Sequence, residues 1–546
     1  MLKLLPCRGV ASIAFVVFML CAAQSRAIAP PGSGGPSYQE WAQRQAAASA
    51  SAMPSQAGYL GANRPGTANP VVPVQNMQPL PGIETTNRLP PPYQTGAQYT
   101  GPPADFSSIP GGNIPTFLNP VQPVSHFEQV ADCNCEPLGR YGAECLKCTE
   151  RAGMLPHDMG GILVGGWLQQ GFTSNYGVPS DRMNSPVGFN DRSNDYRLNQ
   201  LYLYAEKAVR RNGHAWGFGG RADVLLGSDA RFLTVPGLER HRDGTPKWNG
   251  ETSDYGLAIP QAYVEVAAPW LRGVSLKAGH FYSIAGYETA AAPENFFYSH
   301  AYTYLYGEPF THTGALFTIN PNDSVTLHAG YTNGWDVFDS TSNENGVLGG
   351  ITIRSSDRRT SLAATVHSGM DVTGVRAGGA LIDENRHFYS LVLQHQINDC
   401  WRYVFQHDFG YQEDAEVVVN TGPTTITFNT GKWYGINQYL IYDVNDQMSA
   451  AVRAEWFRDQ DHSRIGIPVV FNPGGPTFLG GNYFALTGGL NWRPHTNVTV
   501  RPEIRWDYSD LKGNGAAPGG DPNFRTFDDN RSSSQVTAAI DVVLFY

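Results

Sequence analysis

Charge is scarce in this chain. Asp, Glu, Lys and Arg make up 16% of its 546 residues, and the balance leans acidic, with a formal net charge of −10. An acidic chain repels phosphate backbones, which excludes nucleic acid as a partner. Long apolar runs are also missing. Beyond the N-terminal segment no stretch of about 18 apolar residues recurs, which excludes transmembrane helices. With 41% hydrophobic residues and a mean hydropathy of −0.31, two classes remain: an exported soluble protein, or a membrane barrel whose alternating strands hide from hydropathy averaging. Catalytic signatures are absent as well. There are 14 His, but no Gly-x-Ser-x-Gly elbow, no His-Glu-x-x-His pair and no phosphate loop. Nothing calls for a cofactor: a covalent haem would need a His after Cys148, where Thr149 stands.

What is present begins with an export signal over residues 1–27. Lys3 and Arg8 give the positive start and Val10–Ala23 the apolar stretch. Ser25-Arg-Ala27 is the better cleavage site, because cutting after Ala29 would leave Pro30 as the new terminus. Cys21 does not read as a lipidation site, since Leu20 before it is too bulky. Residues 28–125 are rich in Pro, Gly, Ala, Gln and Ser. Such a segment buries too little apolar surface to offset its chain entropy, and is expected as a disordered periplasmic linker. Residues 126–158 form a small island with Cys133-x-Cys135 and Cys145-x-x-Cys148. Disulfides are expected there in an oxidising compartment, ahead of zinc. Cys400 stands apart and is expected as a buried free thiol.

Residues 159–546 change character. Apolar and polar residues alternate over 161–173, 197–209, 214–226, 257–267, 274–284, 312–319, 324–334, 347–354, 360–368, 387–397, 401–412, 432–444, 449–459, 482–493, 497–508 and 535–546. Seven short connections contain turn-forming residues, among them Arg211-Asn-Gly213, Asn320–Asp323, Asn398-Asp-Cys400 and Pro494-His-Thr496. Eight long polar loops alternate with them, which gives sixteen strands with both ends on one side. An outer-membrane barrel needs this arrangement; a sandwich does not. The fold expected is therefore all-β: a 16-stranded antiparallel transmembrane barrel with a disordered periplasmic N-terminal extension.

The strand faces carry the same message. In 498–508, Val500, Pro502, Ile504, Trp506 and Tyr508 share one face, and Arg501, Glu503, Arg505 and Asp507 the other. Four consecutive charged positions on one face are incompatible with a dry core. Opposite an apolar, aromatic-ended face they describe a strand between lipid and water. Val452, Ala454 and Trp456 oppose Arg453, Glu455 and Asp459 in the same way, and Arg402, Gln406 and Asp408 alternate with Tyr403, Phe405 and Phe409. The last strand, Val536–Tyr546, ends on an apolar, aromatic edge that only closure would protect. Pro502 cannot donate to a ladder, and a bulge is expected there. Pore-lining positions expected from this pattern are Arg221, Arg402, Arg453, Glu455, Arg501, Glu503 and Arg505. Sixteen strands are wide enough for an aqueous lumen.

The loop Ala285–Thr311 is too aromatic to be solvated: Phe296, Phe297, Tyr298, Tyr302, Tyr304, Tyr306 and Phe310 need a surface to pack on. Folding inward would bury them and narrow the lumen, with Glu288, Glu294 and Glu308 facing Arg453, Arg501 and Arg505. Crossed acidic and basic walls orient dipolar solutes and tune ion preference. An external cap or a subunit contact is the other use of such a loop.

Several segments resemble the OmpL-like β-barrel porin family: Leu198–Glu206, Ala258–Glu265, Lys277–Phe281 running into Gly286-Tyr-Glu288, Asn295–His300, Glu308–Gly314 and Gly330–Trp335. The resemblance covers residues 160–546 and leaves out the linker and cysteine island. It implies an outer-membrane porin for passive diffusion of small hydrophilic solutes or ions, with no defined solute, no enzyme chemistry and no metal. Outer-membrane lipid and the barrel-assembly machinery are the partners expected, with a homotrimer by analogy. A structural or adhesive barrel held to the cell wall through 28–158 remains open. So does a barrel hydrolase using Glu206 and Glu265, although their regular alternation with outward residues reads as wall lining.

Overall fold

A computed structural model describes residues 161–546, apart from 210–214, 242–244, 251–253, 271–272, 340–344, 376–380, 414–415, 421–424, 429, 462, 466–468, 473–474, 479 and 512–524. The signal, the linker, Cys133, Cys135, Cys145, Cys148 and the turn Arg211–Gly213 lie outside the described residues.

The described chain is a closed antiparallel barrel of sixteen strands. They are β1 (Leu163–Asn175), β2 (Asp195–Lys207), β3 (Gly217–Gly227), β4 in two pieces (Gly256–Ala258 and Ala262–Ala267), β5 (Ser275–Tyr282), β6 (Thr311–Asn322), β7 (Val325–Thr332) and β8 (Asn345–Arg354). The others are β9 (Thr360–Val375), β10 (Leu381–Gln396), β11 (Trp401–Gln412), β12 (Gly431–Asn445), β13 (Met448–Asp459), β14 (Gly481–His495), β15 (Val498–Ser509) and β16 (Ser534–Phe545). Each pairs with its neighbours in sequence, and β1 closes on β16 from Trp167 opposite Phe545 to Asn175 opposite Thr537. The aromatic C-terminal strand therefore has no free edge.

The facing follows the alternation. Val452, Trp506 and Ile540 point outward and are exposed, whereas Arg453, Arg505 and Asp541 point inward and are buried. Across six adjacent strands the outward aromatics Tyr389, Phe409, Tyr434 and Trp456, then Phe484, Tyr508 and Trp506, form a band near the long-loop rim; neighbouring rings within it lie 5.5–6.4 Å apart. Trp216 and Trp270 pair edge-to-face near the short-turn rim. Amphipathic rings favour the two interfaces of a bilayer, with apolar positions between them.

Four features differ from the sequence reading. The register of β15 runs unshifted through Pro502, which faces Ile540; pairing with β14 merely lapses between Gly489–Glu503 and Trp492–Val500, so a missing N–H removes bonds without forcing a bulge. β4 is interrupted at Ile259–Gln261, around Pro260, instead of running whole. The expected long loop over 369–386 is mostly strand: β9 and β10 pair out to Val375 opposite Leu381, with a register shift at Val372/Gly374. Cys400 is half-buried in its turn and disulfide-bonded, so it is not a buried free thiol; every other cysteine lies outside the described residues. Two long loops also carry hairpins of their own, Glu416–Asn420 with Thr425–Phe428 and Val469–Asn472 with Gly475–Phe478.

This facing predicts a lipid-quenching pattern. A variant retaining only Trp506 should be quenched by brominated acyl chains after reconstitution, and one retaining only the fully buried inward Trp167 should not. Equal quenching of both would contradict an apolar outer face.

Candidate functional site

The segment from Ser283 to Phe310, between β5 and β6, turns into the barrel, and all of it is buried except half-buried Glu294. It contains a 3-10 turn (Ala292–Glu294) and a short helix, α1 (Tyr302–Gly307). Burying so much irregular backbone is costly unless its polar groups find partners. The inward charges of β13 to β16 supply them. Glu503 accepts the Tyr298 and Ser299 N–H groups at 2.9 and 3.1 Å. Glu455 accepts those of Tyr302 and Thr303 at 2.8 and 2.5 Å, at the start of α1. A carboxylate there satisfies orphan donors and meets the positive end of the peptide dipoles.

The arginines bind the carbonyls. Arg501 donates to Ala292 O at 2.7 Å and Asn295 O at 2.8 Å while paired with Asp541 at 2.5 Å. Arg505 donates to His300 O at 2.5 Å and pairs with Asp507 at 2.8 Å. Arg453 donates to Ser299 O at 2.7 Å and meets Glu288 at 2.6 Å. Glu288 also accepts from Tyr439 Oη at 2.5 Å and from Ala301 N–H at 2.9 Å. Burial would raise the Glu288 carboxyl, but Arg453 first and then His300 outweigh it and hold it at about 2.

Of the ten charged residues expected to line the lumen or the constriction, Arg453, Glu455, Arg501, Glu503 and Arg505 therefore engage the loop directly, and Glu288 receives Arg453. Arg221 sits apart, paired with Glu206 at 3.1 Å and Asp223 at 2.8 Å beneath the Tyr204 ring. Arg402 pairs with Asp443 at 3.2 Å. Glu308 faces neither arginine wall: it reaches β11, where it meets Gln406 and Asp408. Burial first, then the Asp408 carboxylate, push the Glu308 carboxyl well above the usual range.

This barrel is similar to known proteins. Over residues 161–546 the chain matches the family described as "Putative beta-barrel porin-2, OmpL-like". The chain belongs to this porin family. Among solved structures it is similar to the outer membrane channel DcaP of Acinetobacter baumannii, at 10% identity over 70% of this chain and 97% of that one, with a TM-score of 0.44. It is similar to an anion-selective porin from Comamonas acidovorans, at 9% identity over 70% of this chain and 99% of that one, with a TM-score of 0.44. The trimer form of OmpT from Vibrio cholerae gives 11% identity over 71% and 100%, with a TM-score of 0.41. Likenesses this distant transfer no solute, selectivity or assembly state. No curated protein matches the chain by sequence.

Within this porin, some contributors carry no charge. Gln200 binds the loop from β2, donating to Ala290 O at 2.7 Å and accepting from Ala292 N–H at 3.2 Å. Interior glycines make room: a Cβ at Gly171 would lie 2.7 Å from the Tyr298 ring, and one at Gly435 2.7 Å from Thr303 Oγ1. Gly286, with φ of +76°, lies against the Glu308 carboxylate, where a side chain has no room.

The Arg453–Glu288 pair yields a prediction. Arg453→Gln leaves a buried carboxylate without its cation and should lower stability by about 3–5 kcal/mol, read as a fall in the urea midpoint of the lipid-folded protein. Glu288→Gln in the same chain should recover much of the loss. Because the Glu288 carboxyl is depressed, its contribution is complete above its ordinary value of 4.5 and fades as pH falls toward about 2. The double variant should lack that acid-dependent loss.

Proposed function

We propose that this porin lies in an outer membrane with its short turns and N-terminal extension on the periplasmic side, and that small hydrophilic solutes or ions cross it by diffusion. The observation that carries the reading is the buried loop Ser283–Phe310, fixed inside a lipid-compatible barrel where it limits the bore. The seven inward charges first read as pore lining act in this reading as wall residues, five of which hold the constriction in place. No step of bond-making is assigned to them: each carboxylate or guanidinium that meets the loop is engaged by several partners and so is poorly placed to exchange protons with a substrate. The partners proposed are outer-membrane lipid, the barrel-assembly machinery and further copies of the chain in a trimer, with the extension reaching the cell wall.

Planar-bilayer recording tests the proposal. Refolded protein that shifts in apparent size on heating should give discrete conductance steps. Replacing Asn295–Tyr304 with a short Gly-Ser link should raise the conductance, because the plug of aromatics is removed. Arg501→Glu/Arg505→Glu, which breaks the carbonyl anchors, should likewise give larger and noisier steps. A correctly folded barrel without conductance in all three forms would defeat the channel reading.

A further inference from the structure

Cys400 sits in the short turn between β10 and β11, half-buried and disulfide-bonded within the chain. Its turn is firmly held. Asn398 Oδ1 accepts the Cys400 and Trp401 N–H groups at 2.9 and 3.0 Å, and the Cys400 carbonyl accepts the Asp443 N–H at 2.8 Å. The chain has seven cysteines. Cys7 and Cys21 fall within the export signal, so the mature chain offers Cys400 four partners: Cys133, Cys135, Cys145 and Cys148. Closing such a bond takes two protons and two electrons from two thiols, which a protein disulfide of an oxidising compartment accepts by exchange.

The segment that bears these four cysteines enters the barrel at β1. Leu163, where β1 begins, lies at the short-turn end, as Cys400 does, but nine to ten strands separate the two in a ring of sixteen. They are nearly opposite. Strands about 4.8 Å apart and tilted by ~40° close a sixteen-strand ring roughly 32 Å across. The fifteen residues from Cys148 to Leu163 reach about 50 Å when extended, enough to span it. Charge favours the same meeting. Arg358 and Arg359 stand on the adjacent turn 355–359, where the Arg359 carbonyl accepts the Gln396 N–H at 2.8 Å and its guanidinium meets Asp399 at 3.8 Å. Residues 126–158 carry six acidic and three basic side chains, and Cys133, Cys135 and Cys145 each have an acidic neighbour. Ile397, 47% exposed, offers an apolar contact on the same rim.

We infer that the segment 126–158 docks on the short-turn rim at turns 355–359 and 397–400, and that one of its cysteines is the disulfide partner of Cys400. The N-terminal extension is then fixed to the barrel at two nearly opposite points, by the peptide chain at β1 and by the disulfide at the β10–β11 turn. Tension arriving along the extension is shared between them, instead of peeling β1 from β2 and β16. Three cysteines of the segment remain, so it holds at most one disulfide of its own and leaves one thiol over. The inference rests on the periplasmic placement of the short turns, and on nothing about conduction.

Protein taken from cells with its thiols trapped by an alkylating reagent tests the bond. Peptide mapping without reduction should join the Cys400 peptide to one from 126–158, with alkylation confined to that segment. A site for a specific protease inserted after Gly153 gives a second readout. After cleavage the N-terminal fragment should stay with the barrel on a denaturing gel and fall away on adding dithiothreitol. In Cys400→Ser it should fall away without it, and the reduction of wild type keeps the test sharp if that variant folds poorly. Arg358→Glu/Arg359→Glu should lower severalfold the fraction bridged when reduced chain is refolded in a glutathione redox buffer; an unchanged fraction would overturn the docking face. Alkylated Cys400 beside a disulfide-bonded segment, a bond between two copies of Cys400, or fragment release from unreduced wild type would overturn the bond. Five alkylated cysteines would overturn it by removing the oxidising compartment on which it rests.

Discussion

A β-sheet immersed in lipid has only itself to hydrogen-bond with, and every other feature of this protein follows from that constraint. The apolar last strand cannot remain an edge, so β16 joins β1. Closure at sixteen strands forces half of all side chains inward, around a space too wide for them to fill. The same rule then applies a second time. An irregular loop inside that space must also have its N–H and C=O groups satisfied, and the inward charges of the wall do this.

That second application changes how the charges should be understood. Glu455 and Glu503 accept backbone N–H groups, while Arg453, Arg501 and Arg505 donate to backbone carbonyls. Acidic loop and basic wall are joined at Arg453–Glu288, without a gap between them. Charges that neutralise one another within a protein contribute little field to a passing ion. The inward charges that meet the loop are thus engaged in holding it.

Much of the barrel was legible in the sequence because period-two alternation is a local property. Arg501, Glu503, Arg505 and Asp507 had to share a face whatever their surroundings, and Trp506 had to oppose them. The strand ends were less legible. β9 and β10 run on as a paired hairpin out to Val375 opposite Leu381, through a stretch of sequence without a sustained alternation. Pro502 signals a lost donor, but whether that loss shifts the register depends on the neighbouring strands. The inward course of the loop could be argued from its aromatics, yet the partners of each charge could not. Arg501 meets Asp541, forty residues away, and loop carbonyls some two hundred away. Gly171 gave no warning, since a small residue in an alternating strand has no distinctive pattern.

The wall holds the constriction by its main chain. Tyr298, Ser299, Tyr302 and Thr303 are each gripped through a peptide N–H. An anchor of this kind is indifferent to which side chain the gripped residue carries. Selection can therefore rewrite the loop residue by residue, altering bulk and polarity at the throat, while the clasp that positions it goes on working unchanged.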